Sequence, residues 1–177
     1  SPKTPYRNLL VFHQIGSGKT CASIQIAENW KKTHKIIVAV PASLILNFKK
    51  ELVSKCVDAQ YITDKEIELL KKHKFTTMIH KKILKTIEKR ISKYYEIISH
   101  QKLIQKIQNK SLRIKNKVLI IDEVQNLVSM KGTYYKILHK FLSKNRSNSP
   151  IVLLSATPMF DKPIELSLTL NLLDLKE

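Results

Sequence analysis

The stretch Leu9 to Thr20, Leu-Leu-Val-Phe-His-Gln-Ile-Gly-Ser-Gly-Lys-Thr, constrains this chain more than any other. An apolar run stops at Gly16-Ser17-Gly18, and Lys19-Thr20 opens a segment with helical spacing. Strand, glycine loop and helix together make the geometry of a phosphate cradle. Glycines at positions 16 and 18 let the loop curl until backbone N–H groups converge on a polyphosphate. The helix N-terminus adds partial positive charge, Lys19 reaches toward β- and γ-phosphates, and Thr20 offers a hydroxyl to Mg²⁺. The residues that would bind are Gly16, Ser17, Gly18, Lys19 and Thr20. The complete pattern, Gly-x-x-x-x-Gly-Lys-Ser/Thr, has His13 at its first glycine position here. No catalytic role is assigned to His13, which suits a packed strand end.

Val118-Leu119-Ile120-Ile121 ends in Asp122-Glu123-Val124-Gln125. Alone, two adjacent acids mark a solvated turn. Behind a buried strand and well downstream of a glycine loop, they read as a metal-and-water pair at the sheet's C-terminal edge. Asp122 is placed to hold Mg²⁺, and Glu123 to orient or deprotonate an attacking water. Ile151 to Leu154 repeats the logic and delivers Ser155-Ala156-Thr157 to that same edge. Ser155 and Thr157, with Gln125, are expected to couple the carboxylate loop to the γ-phosphate.

Strands are expected at Asn8–Phe12, Ile36–Val40, Gln60–Thr63, Tyr95–Ser99, Val118–Ile121 and Ile151–Leu154. Helices are expected at Thr20–Trp30, Ser43–Val53, Gln101–Gln108 and Thr133–Leu142, with Trp30 in the core. Asp64 to Ile91 reads as Lys-rich helix broken near Phe75-Thr76-Thr77, and Ser143–Pro150 as a polar loop. The tail conflicts with itself. Leucines alternating from Ile164 to Leu172 suggest a strand, while Asp161, Pro163 and Glu165 form a helix start, and Leu166, Leu170 and Leu173 share a helical face. Helix is the expectation. Strands alternating with helices predict an α/β fold, a mainly parallel sheet covered on both faces.

At 177 residues the chain is expected to form one domain, without an internal repeat or long linker. No apolar run is long enough to span a membrane, and the start carries no secretory signal pattern. Cys21 and Cys56 are too few for a disulfide framework and lack metal-ligand spacing, which suits a reducing, intracellular setting. Zinc is not indicated by the scattered histidines. A net charge of +18 favours a polyanionic partner, nucleic acid above all. Lys65 to Lys117 carries 16 Lys/Arg against four Glu, so most of the excess sits in one region, 64–117.

Gly16-Ser-Gly-Lys-Thr20, Asp122-Glu-Val-Gln125 and Ser155-Ala-Thr157 resemble motifs I, II and III of superfamily 2 helicases. Val40-Pro-Ala-Ser-Leu-Ile-Leu-Asn-Phe48 with Glu51-Leu52 is similar to motif Ia of Swi/Snf-type translocases, and Tyr95-Glu-Ile-Ile-Ser-His100 to their next strand. His13 resembles a viral branch that includes poxvirus nucleoside triphosphatase I and the early transcription factor large subunit. The resemblance implies a RecA-like first lobe over residues 1–177, ATP with Mg²⁺, and DNA or RNA as track. It implies phosphate contacts from Ser43, Ser99 and His100, and a setting in infected-cell cytoplasm or virion. RNA polymerase or transcription-factor subunits are further partners it suggests.

Two departures matter. The upstream glutamine motif that reads adenine is not recognisable, so ATP comes from the resemblance alone. The second lobe, with its arginine finger, lies outside the chain, so the isolated lobe is expected to turn ATP over weakly or not at all. A nucleic-acid- or polymerase-binding module with a non-hydrolysing P-loop fold is the alternative. Intact Lys19, Thr20, Asp122 and Glu123 argue against it. Another P-loop ATPase, AAA+ or kinase-like, fits motif I but not the contexts of Ia and III.

Overall fold

The computed structural model describes residues 8–12, 18–54, 56, 60–128, 132–145, 149–156 and 163–173. Five strands, β1 (Asn8–Phe12), β2 (Lys35–Val40), β3 (Tyr95–Ser99), β4 (Lys117–Ile121) and β5 (Ile151–Ser155), form one sheet in the order β1-β5-β4-β2-β3. Every pairing is parallel. All five strands therefore end at one edge.

Continuous apolar strands require cover on both faces, and side-chain alternation divides that cover in two. Ile36, Val38, Val40, Val118, Ile120, Val152 and Leu154 face one layer. That layer holds α1 (Lys19–Glu28), α2 (Ile45–Glu51) and α4 (Met78–Ser92), which contribute Ile24, Ala27, Phe48, Ile83, Ile87 and Ile91. Trp30 and Leu52, just past α1 and α2, join them. Ile37, Ala39, Leu119, Ile121, Ile151 and Leu153 face the other layer. Its helices are α5 (His100–Gln108), α6 (Thr133–Asn145) and α7 (Pro163–Leu173).

The structure departs from the sequence reading at several places. Gln60–Thr63 is a turn, not a strand, because Thr63 is already the N-cap of α3 (Asp64–Lys72). Its side chain accepts from the Glu66 N–H while Glu66 accepts from the Thr63 N–H, a reciprocal capping box. Tyr61 is buried for another reason: its hydroxyl and that of Tyr95 both donate to Glu28, at 2.7 and 2.6 Å. Burial first, then the Glu28 carboxylate, pushes both phenols well above their ordinary pKa.

The segment after Pro41 begins as a 3₁₀ turn, Ala42–Leu44, before α2 proper. The break near Phe75 stands, separating α3 from α4. α6 runs on to Asn145, into the expected loop. The tail is helical as expected, but it buries Leu172 and packs Leu168 and Leu173, while Leu170 faces out. Cys21, early in α1, and Cys56, beyond α2, are joined by a disulfide, with Cα atoms 5.7 Å apart. That departs from the reducing setting read from their number.

The helical pair α3–α4 is tied down by ion pairs. Arg90 meets Glu66 at 2.6 Å, and Lys49 of α2 meets Glu88 at 2.5 Å. The Arg90 guanidinium holds the Glu66 carboxyl below its usual range; burial opposes this, and bonds from Thr63 reinforce it. A folded pKa below the unfolded one gives stability that is present above the ordinary glutamate value and lost as pH falls through the depressed one. Arg90 is partly exposed, which limits the effect. Glu66→Gln should cost about 1 kcal/mol in urea unfolding at about pH 7. As pH falls below the depressed Glu66 value, the variant and wild type should converge. A difference that persists in acid would assign the cost to something other than this charge.

Candidate nucleotide site

The C-terminal sheet edge gathers the residues that the sequence separates by over a hundred positions. Gly18 is the N-cap of α1, with φ 79°, in the left-handed region that glycine tolerates. An added β-carbon there would meet none of the described residues within 4 Å. Among the described residues no side chain caps that terminus, and no acid occupies the first turn of α1. Its backbone donors are thus oriented for an anion. Gly16, Ser17, His13 and Thr157 lie outside the described residues.

Lys19 is the first residue of α1, and its ammonium lies between the two acids at the tip of β4. It stands 3.1 Å from Asp122 Oδ1 and hydrogen-bonds Glu123 Oε1. Glu123 also accepts from the Gln125 amide, and Ser155 at the end of β5 donates to Gln125 Oε1 at 2.8 Å. One connected line of polar groups thus runs from the helix after β1, across β4, to β5. Those three strands are neighbours in the sheet. Lys19, Asp122, Glu123, Gln125 and Ser155 are together.

The two carboxylates differ in environment. Asp122 is 2% exposed, and burial raises its pKa; the Lys19 charge opposes this without reversing it. Burial also acts upward on Glu123, but hydrogen bonds from Lys19, Gln125 and the Ala156 backbone outweigh it, and its pKa is lowered. Glu123 is therefore held as an acceptor-only carboxylate, poised over the more open side of the site. Its backbone is unusual for a side-chain-bearing residue, at φ 51°. The 3₁₀ turn Val124–Leu127 follows directly, with Val124 and Leu127 in the core.

Thr20, the second residue of α1, and Asp122 carry hard oxygen donors, a type that suits Mg²⁺ better than a thiophilic metal. Lys19, the α1 N-terminus and these oxygens are the kinds of group that a triphosphate with its metal would use.

The three expected nucleic-acid contacts fare differently. Ser43 is exposed in the 3₁₀ turn after β2. Ser99 caps α5, accepting from the Lys102 N–H at 3.1 Å. His100 is 7% exposed and turned inward, so it offers no open surface to a phosphate. Its Nε2 lies 2.8 Å from the Asp122 carbonyl oxygen. A carbonyl only accepts, so the ring carries its proton on Nε2. Burial lowers its pKa, which favours the neutral ring. His100 thereby braces the peptide that carries the two acids, a contact that sequence spacing gave no means to find.

The sequence matches the DEAD/DEAH box helicase family over residues 3–166. It is 47% identical to "Putative ATP-dependent RNA helicase R563" of Acanthamoeba polyphaga mimivirus, over 98% of this chain and 30% of that protein. It is 26% identical to the early transcription factor 70 kDa subunit of Rabbit fibroma virus, over 97% of this chain and 23% of that protein. The chain thus spans less than a third of either relative. In fold it is similar to the Sulfolobus solfataricus SWI2/SNF2 ATPase core solved with dsDNA (TM-score 0.57, 18% identity, 95% of this chain and 31% of that one). It is also similar to the Pyrococcus furiosus Hef helicase domain (TM-score 0.59, 16% identity, 97% of this chain and 34% of that one). The parallel sheet is RecA-like.

Proposed function

The chain belongs to the DEAD/DEAH box helicase family, and from that premise we propose that it is the first lobe of a viral nucleic-acid-dependent ATPase. ATP hydrolysis in the complete protein drives movement on DNA or RNA, in the service of viral transcription. Residues 1–177 supply the ATP-binding half, with residues 64–117 as a Lys-rich, largely helical middle segment within it. A second RecA-like lobe of the same protein closes over the nucleotide. The observation that carries this reading is Lys19, from the helix that follows β1, held between Asp122 and Glu123 at the tip of β4, along one edge of the parallel sheet.

The groups divide the work as follows. The first-turn N–H groups of α1, with Gly16, Ser17 and Gly18, receive the phosphates. Lys19 exchanges its carboxylate partners for the β- and γ-phosphates, while Thr20 and Asp122 hold the metal. Mg²⁺, when bound, neutralises charge that builds on the transferring phosphoryl group. Glu123, kept ionised by its bonds, accepts the proton of the attacking water. Gln125, Ser155 and Thr157 transmit the state of that carboxylate to β5. Ser43 and Ser99 sit at the starts of helical segments beyond β2 and β3, where nucleic-acid phosphates would pass.

Turnover assays on the full-length protein test the proposal. ATP hydrolysis should require Mg²⁺ and rise when duplex DNA or single-stranded RNA is added. Turnover indifferent to both polymers would remove nucleic-acid dependence. Nucleotide binding without turnover under any of these conditions would favour a binding module built on the same fold.

A further inference from the structure

The α3–α4 hairpin carries a surface that the nucleotide site does not use. α4 buries Ile83, Ile87 and Ile91 against the sheet. Its opposite side is Met78, Lys82, Lys85 and Lys89, a stripe at helical spacing, with Ile79 and Lys81 alongside. Met78 is 82% exposed, Ile79 46%, and Phe75 in the preceding turn 79%. Met78 and Ile79, with Lys81, Lys82 and Lys85, line a shallow groove of about 350 Å³. From Lys71 to Lys85 the chain has six lysines and no carboxylate.

This platform is fixed in place. Thr77 caps α4 through the His80 N–H, Phe75 packs its ring on His80 at 4.4 Å between centroids, and the Glu66 and Lys49 ion pairs hold both helices. Exposed apolar side chains on a pinned helix, ringed by like charge, have the anatomy of a small protein-docking patch.

We propose that this face of the hairpin binds an acidic, amphipathic segment of a partner protein, whose apolar side chains seat on Met78 and Ile79 while its carboxylates meet the surrounding lysines. Charge complementarity selects the acid. The apolar centre selects a protein over nucleic acid. A phosphodiester backbone would be served by lysines alone, and Met78 and Ile79 offer neither a hydrogen bond nor a flat face for a base. A lipid surface fits poorly, because the broad apolar side of α4 is buried and only Met78, Ile79 and Leu84 among its large apolar side chains are exposed, set among lysines. The inference is independent of the ATPase reading.

The test uses the full-length protein and a fluorescent synthetic helical peptide with Leu at alternating three- and four-residue intervals and Glu elsewhere. Saturable binding by anisotropy is expected. The double variant Met78→Ser with Ile79→Ser should weaken it by about tenfold or more. Lys82→Glu with Lys85→Glu should weaken it comparably, and added salt should mimic that second pair. ATP turnover and thermal midpoint should stay at wild-type values, since these side chains are exposed and remote from Lys19. Peptide binding untouched by the serine pair overturns the proposal. So does a poly-uridine oligonucleotide, or phosphatidylserine vesicles, binding through these lysines when the peptide does not. A concentration-dependent dimer in sedimentation, abolished by the serine pair, would overturn it in favour of a second copy of this chain.

Discussion

Lys19→Ala in the full-length protein is expected to lower ATP turnover by on the order of 10²- to 10³-fold and to weaken Mg-nucleotide binding. The ammonium is the positive group that the structure sets between Asp122 and Glu123 at the C-terminal edge of the sheet. Without it, phosphates arriving at the helix N-terminus meet two carboxylates and no lysine to offset them. The variant needs a thermal melt alongside, because Asp122 is buried and would lose its counter-charge. Removing one partner of a buried pair costs roughly 3–5 kcal/mol at the upper end. A folded variant with wild-type turnover would remove the phosphate-loop assignment. A folded variant that binds nucleotide normally yet fails to turn it over would move Lys19 from binding to transition-state stabilisation alone.

Glu123→Gln should separate binding from chemistry. The amide keeps the side chain's size and can still meet Gln125, but it cannot take a proton from water. Turnover should fall by about 10²- to 10⁴-fold with nucleotide affinity close to wild type. Asp122→Asn should behave differently: the weakened metal contact should raise the Mg²⁺ concentration needed for half-maximal rate. If Glu123→Gln retains full turnover, the base lies elsewhere and the site's chemistry must be reassigned. If both variants bind nucleotide as wild type does, and wild type itself never hydrolyses it, the binding-module reading takes over.

Much of the fold was legible in the sequence because its two strongest signals are local. Ile36-Ile-Val-Ala-Val40 and Val118-Leu-Ile-Ile121 are uninterrupted apolar runs, and only a strand covered on both faces uses such runs at that length. Asp64 to Ile91 reads as Lys-rich helix broken near Phe75, and α3 and α4 lie on either side of that break. The errors have equally local causes. Tyr61-Ile62 suggests a strand by its β-favouring residues, but the Thr-Asp-Lys-Glu box that follows begins a helix at once. Leu166, Leu170 and Leu173 share a helical face in the sequence, but a shared face does not say which residues are covered, and Leu170 is exposed. In the site, residue types and order pointed to Lys19, Asp122 and Glu123 being neighbours. Nothing in the order of residues could place His100 beneath the Asp122 carbonyl, or bring Cys21 beside Cys56. Those contacts depend on how β3 and α2 sit across the sheet.

The left-handed backbone at Glu123 has a consequence for how this domain trades robustness against chemistry. A side-chain-bearing residue held at φ 51° costs about 1–3 kcal/mol, a debt that a glycine would not carry. Glu123→Gly should therefore melt higher than Glu123→Ala while being equally inert. Selection for heat resistance alone would push this position toward glycine, so a chain that keeps glutamate there retains a less comfortable shape for the carboxylate it presents.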